Sequence, residues 1–96
     1  MLAVRLHGRG FESIKVETVP VPQPGPGQLL ARVEAAGVCS SILKLLAQGE
    51  AHTFINGWDL AKFPVTLGDE GCVTIVKAGR DVADKYPVGR RYATQP

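Results

Sequence analysis

Short runs in which apolar and polar residues alternate recur along the chain, and this alternation predicts β-strands. The alternating runs lie at residues 2–6, 14–19 and 28–35. A continuous apolar run at 72–79 predicts a further strand, buried on both of its faces, and residues 88–93 predict a last turn and strand. With glycine and proline between the runs, the pattern predicts a mainly β fold of roughly five or six short strands, built as a small barrel or a packed pair of sheets.

One helix is predicted directly after the third strand. Residues 42–46 place apolar side chains at helical spacing. Ser40 or Ser41 is the expected N-cap, because a hydroxyl oxygen can accept a hydrogen bond from the backbone N–H groups of the first turn. Gly49 follows where a helix of this length would end. The junction between strand and helix therefore contains Cys39, next to the predicted cap.

Two segments interrupt this pattern. Residues 21–27 contain three prolines and two glycines, so they predict a stiff, extended connector and not an interior strand. Residues 49–64 are the least regular part of the chain, and Trp58 and Phe63 are expected to anchor them by packing. Loops of this length in small domains are usually functional or mobile. His52 lies in this segment and is most simply interpreted as a solvated histidine.

Composition and charge narrow the classes of function. The 96 residues are enough for a single domain, which we take as residues 1–96. A net charge of +2 without a stripe of lysine and arginine argues against a nucleic-acid partner. No apolar run approaches the roughly 20 residues needed to span a bilayer, and the N-terminus lacks the long uncharged core of a signal peptide. Two cysteines are too few for a disulfide scaffold, so we expect a cytoplasmic protein without a membrane partner.

Cys39 is the first candidate for chemistry. A sulfur at the start of a helix lies near backbone N–H groups and the positive end of the helix dipole, which favour the thiolate that binds metals or attacks electrophiles. The alternative is that Cys39 is a small, buried apolar residue.

Asp69 and Glu70 are the second candidate, because two adjacent carboxylates repel and need solvent, a cation or a proton. Zinc accepts both cysteine sulfur and carboxylate oxygen, so Cys39, Asp69 and Glu70 could form part of a metal site. The alternative is an exposed acidic turn. Ser41 could pass a proton from a metal-bound alcohol, although by itself it is equally well explained as a helix cap.

Four segments, in the same order, resemble the zinc-dependent medium-chain dehydrogenases/reductases. The run Gln28–Ser41 is similar to the chain that leads into the metal site of that family, and Phe63–Gly71 is similar to its Pro-x-x-x-Gly-His-Glu segment. Residues 71–81 resemble the strand and turn that follow, and Val88–Arg91 resembles the family's Val-Gly-Asp-Arg. The resemblance extends over essentially the whole chain.

This resemblance implies a GroES-like fold, a partly open β-barrel with one or two short helices. In the family this is the N-terminal catalytic domain of alcohol and polyol dehydrogenases, and a Rossmann domain that binds NAD or NADP follows it. Zinc polarises the oxygen of a small-molecule alcohol or carbonyl, and hydride passes to or from the nicotinamide. The resemblance leaves the formation of a homo-oligomer open.

The resemblance also assigns roles by position. Cys39 would be the first zinc ligand, and Ser41 would be the catalytic hydroxyl of the proton relay. Glu70 would be the glutamate beside the metal, as a ligand or a catalytic neighbour. Asp69 falls where the family has a histidine ligand, so an anionic oxygen would replace a neutral nitrogen at the zinc.

Two further positions depart from the family. Ile42 replaces an aspartate that usually supports the ligands, and Lys44 replaces a histidine that ends the proton relay in some members. A further zinc ligand and the NAD- or NADP-binding domain are expected outside these residues, so we expect the chain not to be active alone. Two alternatives stay open, namely a zinc-free reductase of the same superfamily and a non-enzymatic GroES-like module that binds a partner through residues 49–64.

Overall fold

The computed structural model describes residues 1–95, which form six strands and one α-helix. This confirms the prediction of a mainly β fold with a single clear helix. The chain divides into two compact units, the first made of Met1–Pro20 with Val38–Gly68 and the second of Val21–Gly37 with the residues from Asp69 onward. In chain order the elements are β1 (Leu2–Leu6), β2 (Ile14–Thr18), β3 (Leu29–Gly37), α1 (Ser40–Gln48), β4 (Val65–Thr66), β5 (Glu70–Ala78) and β6 (Arg91–Thr94), with short 3₁₀ turns at Phe11–Ser13, Gly49–Ala51 and Thr53–Ile55.

The sheet of the first unit has the order β2-β1-β4, and both pairings are antiparallel. Alternation in β1 predicts Leu2, Val4 and Leu6 on one face, but only Leu6 is buried, while Leu2 is 75% and Val4 43% exposed. The reason is the position of the core, which gathers at the Leu6 end of the strand. That core consists of Leu6, Ile42, Leu46 and Leu60.

The helix α1 lies against this core through one face. Ile42 and Leu46 are four residues apart, one turn of an α-helix, and both are buried. The helix ends where the sequence predicts, because Gly49 adopts a φ of 57° and donates its N–H to the carbonyl of Leu45. Within residues 1–95, no helix has both the length and the hydropathy to cross a membrane.

An ion pair connects β1 and β2 on the polar side of the same sheet. The Nε2 atom of His7 hydrogen-bonds to the carboxylate of Glu17, and Nη1 of Arg5 lies 3.8 Å from the same carboxylate oxygen. The His7 imidazole, more than the nearby positive charges of Arg5 and Lys15, holds the pKa of Glu17 below its ordinary value of 4.5. This pair ties the start of the chain to the second strand.

The irregular segment 49–64 belongs to the first unit and contains two of the 3₁₀ turns. Trp58 donates its indole N–H to the carbonyl of Phe63 at 2.6 Å, and the two rings pack with centroids 5.8 Å apart. Both side chains nevertheless stay about half exposed, at 48% and 52%. The two side chains pack against each other within the segment but stay half exposed, so the prediction that they anchor it by packing is confirmed only in part.

The sheet of the second unit has the order β3-β5-β6, again antiparallel throughout. Its buried large side chain among the described residues is Ile75, which is 3% exposed. The prediction that β5 is buried on both faces is wrong, since Val76 is 38% exposed and Lys77 is exposed. A continuous apolar run does not show whether other parts of the chain cover both faces of a strand. In this sheet, one face carries a row of paired polar residues, Arg32, Thr74 and Arg91.

The proline-rich connector is fixed against the turn that ends β5. The Gly79 N–H donates to Gln28 at 2.8 Å, and the Asp81 N–H donates to Pro26 at 3.0 Å. Gly79 is buried, and a Cβ added there would lie 2.1 Å from the Gly25 oxygen and 2.3 Å from the Pro26 oxygen. No side chain fits at Gly79, so at this point the backbone of the turn lies directly against the backbone of the connector.

Replacing Gly79 with alanine should therefore destabilise the protein strongly. The added methyl group meets backbone oxygens that cannot rotate away, and overpacking of this kind costs about 1–3 kcal/mol or more. The matched control is Gly27→Ala in the same connector, because a Cβ at Gly27 has no atom within 4 Å. Urea unfolding followed by far-ultraviolet circular dichroism should give a lower midpoint for G79A and an unchanged or slightly higher one for G27A. Equal midpoints for the two variants would contradict this account of the connector.

A second prediction concerns the pH dependence of stability. The pKa of Glu17 is lower in the folded protein than in the unfolded chain, so its contribution is fully present above pH 4.5 and is lost as the pH falls through the lower, folded value. Wild type should exceed Glu17→Gln in free energy of unfolding at pH 7, and the difference should shrink at pH below 4.5. Urea titrations at several pH values test this. Asp84→Asn, at an exposed carboxylate in the second unit, is the control. If the difference in free energy of unfolding between wild type and E17Q grew in acid, the pairing of Glu17 would be contradicted.

Candidate functional site

The junction between β3 and α1 centres on a cysteine cap. The backbone of Cys39 is extended, with φ −107° and ψ 169°, and its Sγ accepts a hydrogen bond from the Ser41 N–H at 3.4 Å. The prediction that Ser40 or Ser41 caps the helix is wrong, since both already lie in its first turn. Sulfur can act as the cap because, like a serine oxygen, it is one bond from Cβ and reaches the N–H two residues further on.

The cysteine side chain is exposed, which excludes its interpretation as a small buried apolar residue. Its Sγ lies 3.1 Å from Oγ of Ser41, within hydrogen-bonding distance, and either group can donate. Ser41 is half-buried, so its hydroxyl is held beside the sulfur by the first turn of the helix. The structure thus brings two of the predicted site residues together, at the end of α1 where the helix dipole is positive.

The other two candidates lie at the start of β5, in the second unit. The Asp69 N–H donates to the carbonyl of Gly37 at 3.2 Å, and Glu70 is paired with Gly37 in the antiparallel register. Asp69 is half-buried, whereas Glu70 is exposed. The adjacent carboxylates are therefore set opposite the last residue of β3, and Cys39 follows Gly37 two positions later in the chain.

A glycine fixes this register. A Cβ added to Gly71 would lie 2.7 Å from the carbonyl oxygen of Ala35 on the neighbouring strand. Only glycine allows β3 and β5 to approach so closely here. The backbone that carries Asp69 and Glu70 is consequently positioned by the residue that follows them.

The chemistry of these donors suits zinc, which binds cysteine sulfur and carboxylate oxygen. Among residues 1–95, however, no group of three or more histidine, cysteine, aspartate or glutamate side chains is arranged to hold a metal ion. The fit is therefore partial: suitable donor types are present without a complete ligand set in the part of the chain that the structure describes. Cys39, Asp69 and Glu70 as metal ligands stay a prediction.

The two histidines have partners that the sequence did not reveal. His7 pairs with Glu17 across β1 and β2, as described above. His52 accepts the Phe54 N–H at its Nδ1 atom at 3.2 Å, and its ring lies against that of Phe54 at a centroid distance of 5.4 Å. Both contacts hold the local structure. The first could have been found only by assigning the register of the hairpin, and the second from an N-cap pattern at His52.

A shallow groove of about 380 Å³ lies in the second unit. It is lined by Pro22, Gln23, Pro24, Gln28, Leu29 and Leu30. None of the predicted site residues takes part in it, and Gln23 accepts a hydrogen bond there from Lys77 at 3.0 Å. We assign no function to this groove.

Comparison with known proteins connects the site to a family. Residues 25–96 match the alcohol dehydrogenase GroES-like domain family. The sorbitol dehydrogenase of Gallus gallus is 34% identical over 95 residues, which are 99% of this chain and 24% of that protein. The sorbitol dehydrogenase of Homo sapiens gives the same identity over 95 residues, again 99% of this chain and 24% of that protein.

A solved structure agrees with the sequence comparison. It is described as a zinc-binding dehydrogenase from Sinorhizobium meliloti 1021 bound to NADP, and it is 38% identical to this chain with a TM-score of 0.69. The match covers 94% of this chain and 23% of that one. The chain thus spans about a quarter of the length of these relatives.

The family match contains the end of the connector and every element from β3 to β6, including all four predicted site residues. The structural match shows in addition that the fold is shared and not only the motifs. The resemblance noted in the sequence is therefore confirmed, together with the mainly β, GroES-like fold that it implies. The chain belongs to the alcohol dehydrogenase GroES-like domain family.

Proposed function

We propose that this chain is the catalytic-domain portion of a zinc-dependent alcohol or polyol dehydrogenase. The reaction would oxidise a small-molecule alcohol to a carbonyl compound, or the reverse, with NAD or NADP as the hydride carrier. The observation that carries the proposal is the exposed sulfur of Cys39, held 3.1 Å from the Ser41 hydroxyl at the start of α1. The sorbitol dehydrogenases and the NADP-bound, zinc-binding dehydrogenase among the relatives support it.

Cys39 is proposed as a zinc ligand because its sulfur is accessible and already accepts a backbone hydrogen bond. Groups that hydrogen-bond a metal-ligating atom orient it and tune its basicity, and here the Ser41 N–H is such a group. Asp69 and Glu70 are proposed as the carboxylate donors. Bound to these residues, zinc would supply a Lewis acid that polarises the substrate oxygen.

Ser41 is proposed as the group that carries a proton. A hydroxyl can both donate and accept hydrogen bonds, which is what passing a proton requires, and its contact with Sγ of Cys39 places this one beside the proposed zinc ligand. Glu70 is exposed at the start of β5 and is proposed as the second catalytic residue, stabilising positive charge near the metal.

The cytoplasm remains the proposed location, supported by the two free thiols, Cys39 and Cys72.

One residue favours a second candidate function. Asp69 stands where the resemblance places a histidine ligand, and a carboxylate there changes the charge of any metal site. A zinc-free reductase of the same superfamily would tolerate this change. A measurement of metal binding distinguishes the zinc-dependent dehydrogenase from the zinc-free reductase.

The test is titration with Co²⁺, a spectroscopic substitute for zinc, on the full 96-residue chain. Wild type should give the near-ultraviolet charge-transfer band of a cobalt–thiolate bond, and Cys39→Ser should lose it. Cys72→Ser is the matched control, because it removes the other free thiol, half-buried on β5, and should keep the band. Removing a group that merely supports a ligand costs roughly 10- to 100-fold in metal affinity, so loss of the ligand itself should cost at least that.

Asp69→Asn and Glu70→Gln, tested separately, show which carboxylate binds. Each true ligand should weaken Co²⁺ binding without changing the far-ultraviolet circular dichroism spectrum. A band that survives in C39S, or that disappears only in C72S, would refute Cys39 as the ligand. Absence of any cobalt–thiolate band in wild type would favour the zinc-free candidate.

A further inference from the structure

The turn between β1 and β2 holds the far end of the helix that carries the candidate site. The last four carbonyl groups of an α-helix have no partner within the helix. In α1, the guanidinium Nη2 of Arg9 donates to the Gln48 carbonyl at 2.8 Å, and the Gly10 N–H donates to the Leu46 carbonyl at 2.9 Å. Two of these groups are therefore satisfied by residues that are distant in sequence.

Hydrogen bonds within the turn stabilise its conformation, so the turn can hold the end of the helix in place. The His7 N–H donates to the Ser13 carbonyl at 2.9 Å, and the Ser13 hydroxyl donates to the Arg9 carbonyl at 2.9 Å. A further bond at 3.1 Å joins the Ser13 N–H to Gly10. Because the turn connects two paired strands, α1 is fastened directly to the sheet of the first unit.

Arg9 also contacts the residue that ends the helix. A Cβ added to Gly49 would lie 3.1 Å from Cβ of Arg9 and 3.4 Å from its Nε. Gly49 is buried, with a φ of 57°. The stem of Arg9 thus packs against the helix end, and its positive charge lies where the helix dipole is negative, which is the favourable arrangement.

These contacts act on a short, rigid element. Nine residues of α-helix span about 14 Å, and the other end of this one bears Cys39 and Ser41. The buried side chains Ile42 and Leu46 fix the face of the helix that meets the core, but aliphatic contacts tolerate small sliding along the axis. Directional hydrogen bonds at one end remove that freedom.

We propose that Arg9 is a positioning residue, which sets the axial position of α1 and thereby of Cys39 and Ser41. Its chemical significance rests on the proposed function, whereas its mechanical effect on the helix does not. Arg9 is exposed and does not touch the candidate site residues through any contact described above, so its influence passes through the helix.

The test compares Arg9→Ala, Arg9→Met and Arg9→Lys with the wild-type chain by amide hydrogen exchange and amide chemical shifts. The Arg9→Met variant keeps most of the packing of the stem, and Arg9→Lys restores one charged donor. In R9A and R9M, exchange at Ser41 and Ile42 should accelerate by about tenfold or more, the scale of one hydrogen bond to a charged group. R9K should recover part of the protection, and Arg80→Ala, at an exposed arginine in the second unit, should change nothing in α1.

The site of the change decides the outcome. If exchange and shifts change only at the last turn, residues 46–49, Arg9 is a local cap and the proposal is overturned. Should R9A fail to fold, R9M and R9K still give the comparison, and three unfolded variants would overturn a positioning role in favour of a structural one.

Co²⁺ titration of the same variants separates this proposal from the proposed function. A weaker and shifted cobalt–thiolate band in R9M, partly restored in R9K, supports positioning of Cys39. A wild-type band that R9M leaves unaltered overturns the proposal and leaves the proposed function intact. Absence of the band in wild type counts against the proposed function, and the exchange pattern then decides the positioning role by itself.

Discussion

The burial of Ile42 and Leu46 against Leu6 and Leu60 is the interaction on which the first unit depends. It is the cluster that joins the helix to the sheet, and it determines which side of α1 faces outward. Leu6 and Leu60 are fully buried, so any loss of volume there would leave a cavity beneath the helix. The orientation of the first helical turn, and with it the exposure of Cys39, follows from this small core.

The second unit is held together differently. Its core has Ile75 as the buried large side chain, and its order comes mainly from backbone pairing of β3, β5 and β6. Gly71 makes that pairing possible because it lets β3 approach β5, and Gly79 lets the connector cross the end of β5. Backbone contacts of this kind specify geometry sharply but bury little apolar area, so each glycine matters more than its size suggests.

Much of the fold was readable from the sequence because it depends on local pattern. Alternation and turn residues located five strands and the helix, and Gly49 marked the helix end. Features that depend on partners far along the chain were not readable. The pairing of His7 with Glu17 requires the register of a hairpin, and the exposure of Val76 requires knowledge of what covers each face of β5.

The candidate site divides in the same way. Cys39 and Ser41 were found because a strand-to-helix junction is a local pattern, although the cap was assigned to the wrong side chain. The two-residue strand β4 was missed because two residues carry no periodicity. Asp69 and Glu70 were found as two adjacent carboxylates, and the resemblance to a family motif then gave each a role. Their placement at the start of β5 depends on the pairing with Gly37, which no local pattern encodes.

The identity of the cap is the strongest physical argument for chemistry at this junction. Serine, threonine, aspartate and asparagine are the side chains that stabilise a helix start best, and Ser40 and Ser41 stand immediately beside the position that caps α1. A thiol is a poorer acceptor than any of them, so helix stability does not explain a cysteine there. Packing does not explain it either, since the side chain is exposed, contrary to the usual burial of cysteine. A cysteine that neither helix stability nor packing accounts for agrees with the proposal that its sulfur binds zinc.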